Sequence, residues 1–344
     1  MRRRVAVLMG GRSSEHEISV ASARSVIDAL DPERYEVATI EIGRDGRWAL
    51  GSGHVPKSLD RGQSPDVSAE TLPVRATSHE VTATLSGVEV VLPILHGPFG
   101  EDGRLQGVLE MANVPYVGAD HAASALCMDK DLFKAVMRDQ GVPVTRNIVL
   151  RNGAAPENPF GYPVFVKPAR LGSSVGITKA HDDDELRSAV ELAFRHDEKV
   201  LVEEFVSGKE VEVGVLGNRS PVASLVGEIV VTHNEWYDYS AKYDEGEMDL
   251  IVPPRVSSAQ TARVRELARA AFVAAECEGM VRADMFVRDD GEVLVNELNT
   301  IPGFTSTSVY SKLFEASGIP YPELLDRLVE LALERHERRS RLAY

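Results

Sequence analysis

The sequence carries neither of the familiar phosphate cradles: there is no G-x-x-x-x-G-K-[ST], and no G-x-G-x-x-G follows a strand. It has only two cysteines, Cys127 and Cys277. They show no metal-ligand spacing, each lies in a helical pattern, and both read as buried reduced thiols. No apolar run approaches the length of a membrane span. Arg2-Arg3-Arg4 is followed by five apolar residues and then Gly10-Gly11, too short for a secretory segment, so a cytoplasmic chain without membrane contact is expected. There is no basic surplus either. A formal charge of −15 argues against nucleic acid as a partner, while local lysines can still hold a nucleotide phosphate.

What is present suffices for two or three packed domains: 344 residues, 43% of them hydrophobic. Val5–Met9, Tyr35–Ile42 and Val88–Leu95 read as strands, with a helix from Ser14 and another at Arg104–Ala112. That alternation predicts a doubly wound parallel sheet over residues 1–121. Ser14 and Glu17 have the spacing of a capping box. Between Gly51 and His79 the pattern dissolves into a surface insertion. A helix over Ala122–Gln140 opens a central α+β module, 122–215, with strands at Pro163–Lys167, Gly176–Ala180, Val200–Phe205 and Glu210–Leu216. The C-terminal part, 216–344, is expected to hold a mixed sheet, an irregular stretch from Val231 to Leu250, and closing helices whose basic end, Arg335 to Arg341, reads as a frayed terminus.

Asp284, Glu297 and Asn299 carry the chemistry. Two branched apolar runs flank Asp289-Asp290-Gly291, a hairpin signal that folds Asp284 back toward Glu297 and Asn299. Strand alternation puts Glu297 with Asn299, and Arg282 with Asp284. Hard oxygen donors beside an arginine suit Mg²⁺ held against a polyphosphate. The small polar loop Thr300–Ser308 that follows can offer backbone N–H groups to an anion. Lys167 ends a strand that leads into Gly172-Ser173-Ser174-Val175-Gly176. Such a turn can close over a triphosphate, and it is also simply what a hairpin looks like. Glu203, Glu204 and Glu210 lie at strand ends, where carboxylates can accept from adenine or ribose or be plain surface charge.

Taken together, these residues resemble the ATP-grasp superfamily and, more closely, the D-alanine–D-alanine ligases. Five stretches carry the likeness: Gly10–Ser19; Leu95–Gly103; the lysine with its Gly-Ser loop; Tyr237–Tyr243; and Asn296–Ser308. The resemblance implies a three-domain ATP-grasp fold. It also implies ligation of two D-alanines through a D-alanyl phosphate, for peptidoglycan precursors, by a homodimer. Glu15 would hold the ammonium of the first D-alanine near His96, and Ser173 would tie Glu15 to Tyr243. Arg282 and the Gly303 N–H would face the oxyanion, and Ser308 with Val309 would receive the second substrate. Lys130, Lys167 and Lys242 would neutralise phosphates, with Ser173, Ser174, Glu203, Glu204, Phe205, Val206, Glu210 and Asn296 around ATP. Asp284, Glu297 and Asn299 would bind two Mg²⁺ or Mn²⁺, with K⁺ as a further activator. Residues 231–250 would form a lid, whose Tyr243 favours an amine over D-lactate as second nucleophile. The competing readings are another ATP-grasp ligase or carboxylase, a D-alanine–D-lactate ligase, and a nucleotide-binding regulator.

Overall fold

The first sheet is built around β1 (Arg3–Gly10), because its apolar run has two faces to bury. A computed structural model describes residues 2–51, 85, 87–151, 153–172, 174–231 and 248–343. With β2 (Tyr35–Ile42), β3 (Trp48–Gly51) and β4 (Val90–Pro93), β1 forms a sheet of order β3-β2-β1-β4. Both neighbours of β1 run parallel to it, whereas β3 is an antiparallel edge strand within a stretch that the sequence left unassigned. Val5, Val7 and Met9 pack with the helices His16–Ala29 and Tyr321–Ser340, while Ala6 and Leu8 pack with Leu105 and Leu109 of Arg104–Met111. Helices on both faces make this sheet doubly wound. Apart from Gly51, the expected insertion lies outside the described residues. The Ser14/Glu17 capping box does not form. Glu15 takes the N-cap position without a side-chain cap, and Glu17 instead pairs with Arg44.

The small second sheet has order β5-β8-β6-β7, from β5 (Asn147–Arg151), β6 (Val164–Pro168), β7 (Thr178–Ala180) and β8 (Lys199–Glu204). The third has order β11-β10-β9-β12-β13: β9 (Gly208–Gly217), β10 (Val222–Val231), β11 (Met248–Ile251), β12 (Gly279–Arg288) and β13 (Val293–Asn299). Its strand pairings are antiparallel, and the parallel component is the isolated bridge Val144–Val295. The strand expected to close the central module is therefore β9, the middle strand of the third sheet, and a boundary at 215 would cut through it.

The single helix expected over Ala122–Gln140 is two, His121–Met128 and Lys130–Asp139. Asp129 breaks the run: its backbone is extended and its carboxylate accepts the Leu132 N–H at 3.2 Å, an N-cap inside an unbroken apolar pattern. Both helices pack on β9 and β12 with the helix Ser258–Ala274, through Ala123, Cys127, Phe133 and Met137. The break leaves Lys130 at a helix start, 3.0 Å from Glu297 on β13. Cys127 and Cys277 are free buried thiols in contact, with sulfurs 3.8 Å apart.

The basic end of the last helix is not frayed. Arg335 is buried, donates to the Gly118 carbonyl and, at 2.7 Å, to the Tyr116 carbonyl, and lies 4.4 Å over the Tyr116 ring. Arg339 reaches Asp120 at 2.6 Å. These arginines clasp the crossing between the first sheet and the rest of the chain. Arg335→Leu strands two buried carbonyls, so stability should fall by about 1–3 kcal/mol per lost partner. The check is the urea midpoint of unfolding, which should drop while far-UV circular dichroism of the native state is unchanged.

Candidate functional site

The site begins with a β-bulge. Met285 pairs with Val295 in the core, but Asp284 pairs with Glu297, so Asn296 is the extra residue. Regular alternation would have put Glu297 on the same core face as Val295. The bulge re-aims the end of β13, and Glu297 and Asn299 join Asp284 and Arg282. On the other side of β12, Glu212 of β9 stands opposite Asp284. Three carboxylates thus form a row across three strands, and Arg282 and Lys130 offset much of its charge. The Arg282 guanidinium bonds Asp284 twice at 2.7 Å and lies 3.0 Å from Glu212; Lys130 meets Glu297. The Asn299 amide donates to Asp284 at 2.9 Å. Burial works against the Lys130 ammonium, but the Glu297 carboxylate outweighs it and raises its pKa above the ordinary lysine value. Glu212, fully buried, is a site residue that the sequence reading missed. Its signal was the alternation of Glu210 and Glu212 in an otherwise apolar strand.

Next to this row a cavity of about 330 Å³ is lined by Glu15, Ser22, His96, Glu101, Arg282, Asn299, Gly303, Ser308 and Val309, among others. His96 is held from both sides. The Ile301 carbonyl can only accept, so Nδ1 carries the hydrogen at 3.0 Å, and Nε2 accepts from the Ser22 hydroxyl at 3.2 Å. Burial lowers the His96 pKa against the pull of Glu15, and the ring is neutral. Gly97 has φ +73°, and a Cβ there would lie 2.5 Å from Glu15 Oε2, so the glycine lets this carboxylate sit against the turn. At the far end, Ser308 is the N-cap residue of the helix Val309–Ala316, yet its hydroxyl accepts the Thr305 N–H at 3.0 Å rather than capping the helix. The first helical N–H groups remain available to an anion.

A second, small cavity is lined by Glu101, Lys130, Leu171, Gly172, Glu297 and Asn299. Lys130 Nζ donates to the Leu171 carbonyl at 2.9 Å, which ties the Gly-Ser loop to the cradle. Lys167 is buried on β6 and pairs with Glu203 at 2.6 Å. The other Glu203 oxygen meets the fully buried Lys134 at 2.7 Å. Both Glu203 oxygens thus face lysines, so the carboxylate is buried charge and not surface charge. Glu204 is likewise held, by Arg146 at 2.7 Å and Arg288 at 2.9 Å. Lys134 was missed because nothing in the apolar stripe of its helix marks it. Phe205 is exposed, 6.3 Å from the Phe165 ring with Lys179 Nζ 4.9 Å over its face, and Val206 beside it is half-buried. Ser174 takes a left-handed φ of 58° in the loop, and Glu210 lies half-buried on β9 opposite Phe286. Ser173, Lys242 and Tyr243 lie outside the described residues, as does the expected lid from 232 to 247. Met248 and Leu250, on the strand that follows, line the larger cavity.

Among the described residues no three His, Cys, Asp or Glu side chains converge as a metal site. Two carboxylates and an amide nonetheless suit a hard divalent cation whose remaining ligands are phosphate oxygens and water. Arg282 and Lys130 hold the carboxylate oxygens that such a cation would share.

The family models for the D-ala D-ala ligase N-terminus and C-terminus match residues 4–119 and 136–330. The chain belongs to the D-alanine–D-alanine ligase family. It is 46% identical to a D-alanine–D-alanine ligase of Heliobacterium modesticaldum, over 100% of this chain and 98% of that protein. The structure of the D-alanine–D-alanine ligase from Coxiella burnetii superposes with a TM-score of 0.81 at 36% identity, covering 98% of this chain and 96% of that one. The VanG D-Ala:D-Ser ligase from Enterococcus faecalis gives 0.83 at 34% identity, covering 96% and 100%. The ligase relationship thus spans both the sheet that carries Glu15 and the sheet that carries Asp284, and the fold is that of the ATP-grasp ligases.

Two buried carboxyls of this ligase site titrate in opposite senses. Burial, reinforced by Glu15, pushes Glu101 up to about 8. Its contribution to stability is largest below the ordinary carboxylate range and declines as pH rises toward 8. Burial alone would raise Glu203, but Lys134 and Lys167 pull it down to about 2. Its contribution is present above the ordinary range and lost as pH falls toward 2. Thermal unfolding between pH 5 and 8 should therefore show a decline that Glu101→Gln flattens and Glu203→Gln leaves in place.

Proposed function

We propose that the larger cavity holds the two amino acids and the smaller one the γ-phosphate end of ATP. The chain is an ATP-dependent ligase that joins two D-alanine molecules for peptidoglycan precursor synthesis. The observation that carries the site assignment is the lining of one cavity by Glu15, Arg282 and Asn299, with Arg282 and Asn299 both bonded to Asp284. A carboxylate bound against Arg282 lies beside the acidic row that would hold the metal.

Each step follows from charge and placement. Glu15, oriented beside the Gly97 turn, receives the ammonium of the first D-alanine, with neutral His96 behind it. The carboxylate oxygen of that D-alanine attacks the γ-phosphorus of ATP, ADP leaves, and an acyl phosphate forms. Lys130, Lys167 and Lys242 balance phosphate charge. Asp284, Glu297 and Asn299 would hold the divalent ions, Mg²⁺ or Mn²⁺, which when bound supply further neutralisation of the phosphates. The second D-alanine places its carboxylate at Ser308 and the open N-terminus of the Val309–Ala316 helix, and its amine attacks the acyl carbon. Arg282 and the Gly303 N–H stabilise the tetrahedral oxyanion, and phosphate departs with the oxygen that came from the carboxylate. Ser173 and Tyr243 would fasten the Gly-Ser loop and lid to Glu15 and exclude water, which would otherwise hydrolyse the acyl phosphate. The exposed Phe205 suits an adenine face. Glu203, spent on two lysines, orients Lys167 rather than reading the base.

No helix among the described residues is long and apolar enough to cross a membrane. A cytoplasmic enzyme is part of the proposal, and the formal charge of −15 speaks against nucleic acid as a partner. A homodimer and a K⁺ activator complete the proposal.

The test is product identification from Mg-ATP with D-alanine, D-serine or D-lactate as second substrate. D-alanyl-D-alanine should dominate at neutral pH; equal depsipeptide formation with D-lactate would remove the amine preference assigned to Tyr243. Glu15→Gln should raise the KM of the first D-alanine at least tenfold, roughly the 1.4 kcal/mol of a weakened charge-assisted bond, and leave the KM of ATP within twofold. An unchanged D-alanine KM would mark Glu15 as a helix-start charge only.

A further inference from the structure

Glu101 is given no substrate contact in the ligase reading, yet it lines both cavities. Its carboxyl group is buried and accepts two backbone N–H groups: Gly97 at 2.9 Å on one oxygen and Ile301 at 3.3 Å on the other. The Thr300 hydroxyl adds a longer bond, 3.4 Å, to the Glu101 carbonyl. Ile301 is gripped a second time, since its own carbonyl accepts from His96 Nδ1. One residue of the loop after β13 is thus held through both of its flanking peptide groups by the two ends of the His96–Glu101 turn. Gly303 comes two residues later. The Gly-Ser loop also converges here, because a Cβ on Gly172 would meet Glu101 Oε1 at 3.7 Å and Glu15 Oε2 at 3.8 Å.

We infer that Glu101 is a positioning residue for the ligase reaction: through Gly97 and Ile301 it fixes the Glu15–His96 end of the amino-acid pocket against the Gly303 oxyanion donor. The inference rests on the ligase reading. Three otherwise separate pieces of chain meet at this carboxyl, and none is joined to the others by continuous strand. A carboxyl can accept two N–H groups at once in a fixed fork, which an amide or a hydroxyl cannot do with the same span. In the ligase reading Glu101 acts through the backbone N–H groups that it holds and not on the reacting atoms. Its effect is on where the donors stand when charge develops on the acyl oxygen, the quantity to which the rate is most sensitive. ATP is held chiefly by Lys130, Lys167 and the small sheet, so loss of the Glu101 fork falls mainly on the amino-acid side of the site.

The experiment compares wild type, Glu101→Gln and Glu101→Leu in the full-length chain. Steady-state kinetics are measured for ATP and both D-alanine sites, with ATP affinity by calorimetry and thermal unfolding alongside. Wild-type turnover tests the ligase reading itself; the ratio of each variant to wild type tests the inference. Glu101→Leu should lose about 100-fold in kcat, the cost of misplacing reacting groups by roughly 1 Å, with the KM and Kd of ATP within twofold. Glu101→Gln, which keeps one acceptor, should recover part of that loss. The inference is overturned if Glu101→Leu stays within threefold of wild type in kcat. It is equally overturned if kcat and ATP affinity fall together in step with lowered thermal stability, the signature of a purely structural residue.

Discussion

The cation-paired acidic row across β9, β12 and β13 is the interaction on which the site depends. Three carboxylates on adjacent strands would repel one another and, buried, would take up protons. Arg282 set between Glu212 and Asp284, with Lys130 against Glu297, keeps the row balanced and aimed. Each counter-cation also has a second use. Lys130 ties the Gly-Ser loop through Leu171, and Arg282 faces the amino-acid cavity. Phosphate oxygens placed beside these cations would give them further partners. Desolvation of charge, the largest cost of such a site, is therefore met before substrate arrives.

A second buried ion cluster supports the first. Lys134 and Lys167 share Glu203, so a helix packed on the third sheet holds a strand of the small sheet by charge. The small sheet otherwise has its own core, built on the helix Asp183–Phe194, while the first and third sheets share one through Val5, Leu216, Met280 and Tyr310. The small sheet is thus tied to the rest by ion pairs, Lys134–Glu203, Lys199–Asp129 and Arg288–Glu204, rather than by a shared core. That division suits an enzyme that must open for nucleotide and close for chemistry.

Much of this was legible in the sequence. The Asp-Gly hairpin, the pairing of Asp284 with Glu297 and the partnership of Arg282 with Asp284 follow from local turn chemistry and strand alternation. The bulge at Asn296 was not legible, although the shared face depends on it, because a one-residue register shift leaves no mark in an apolar pattern. Asp129 did carry an N-cap signal, but the apolar periodicity on either side masked it. Glu101, Lys134 and Glu212 were missed for a common reason. The partners that matter lie far along the chain, Ile301 for Glu101, Glu203 for Lys134 and Arg282 for Glu212, and a charge alone does not say what folds against it. Glu203 shows the same limit from the other side. Its position at a strand end was legible, and the two lysines folded against it were not.

The central claim is that the carboxylate bound at Arg282 and the phosphate held over the acidic row meet in one site. D-alanine labelled with ¹⁸O in its carboxylate, turned over with unlabelled ATP, tests it most directly by mass analysis of the released inorganic phosphate. Transfer through an acyl phosphate predicts one ¹⁸O carried into phosphate for each peptide bond formed. Unlabelled phosphate accompanying dipeptide formation would mean that the carboxylate never attacked phosphorus, and the two cavities would not be parts of one reaction centre.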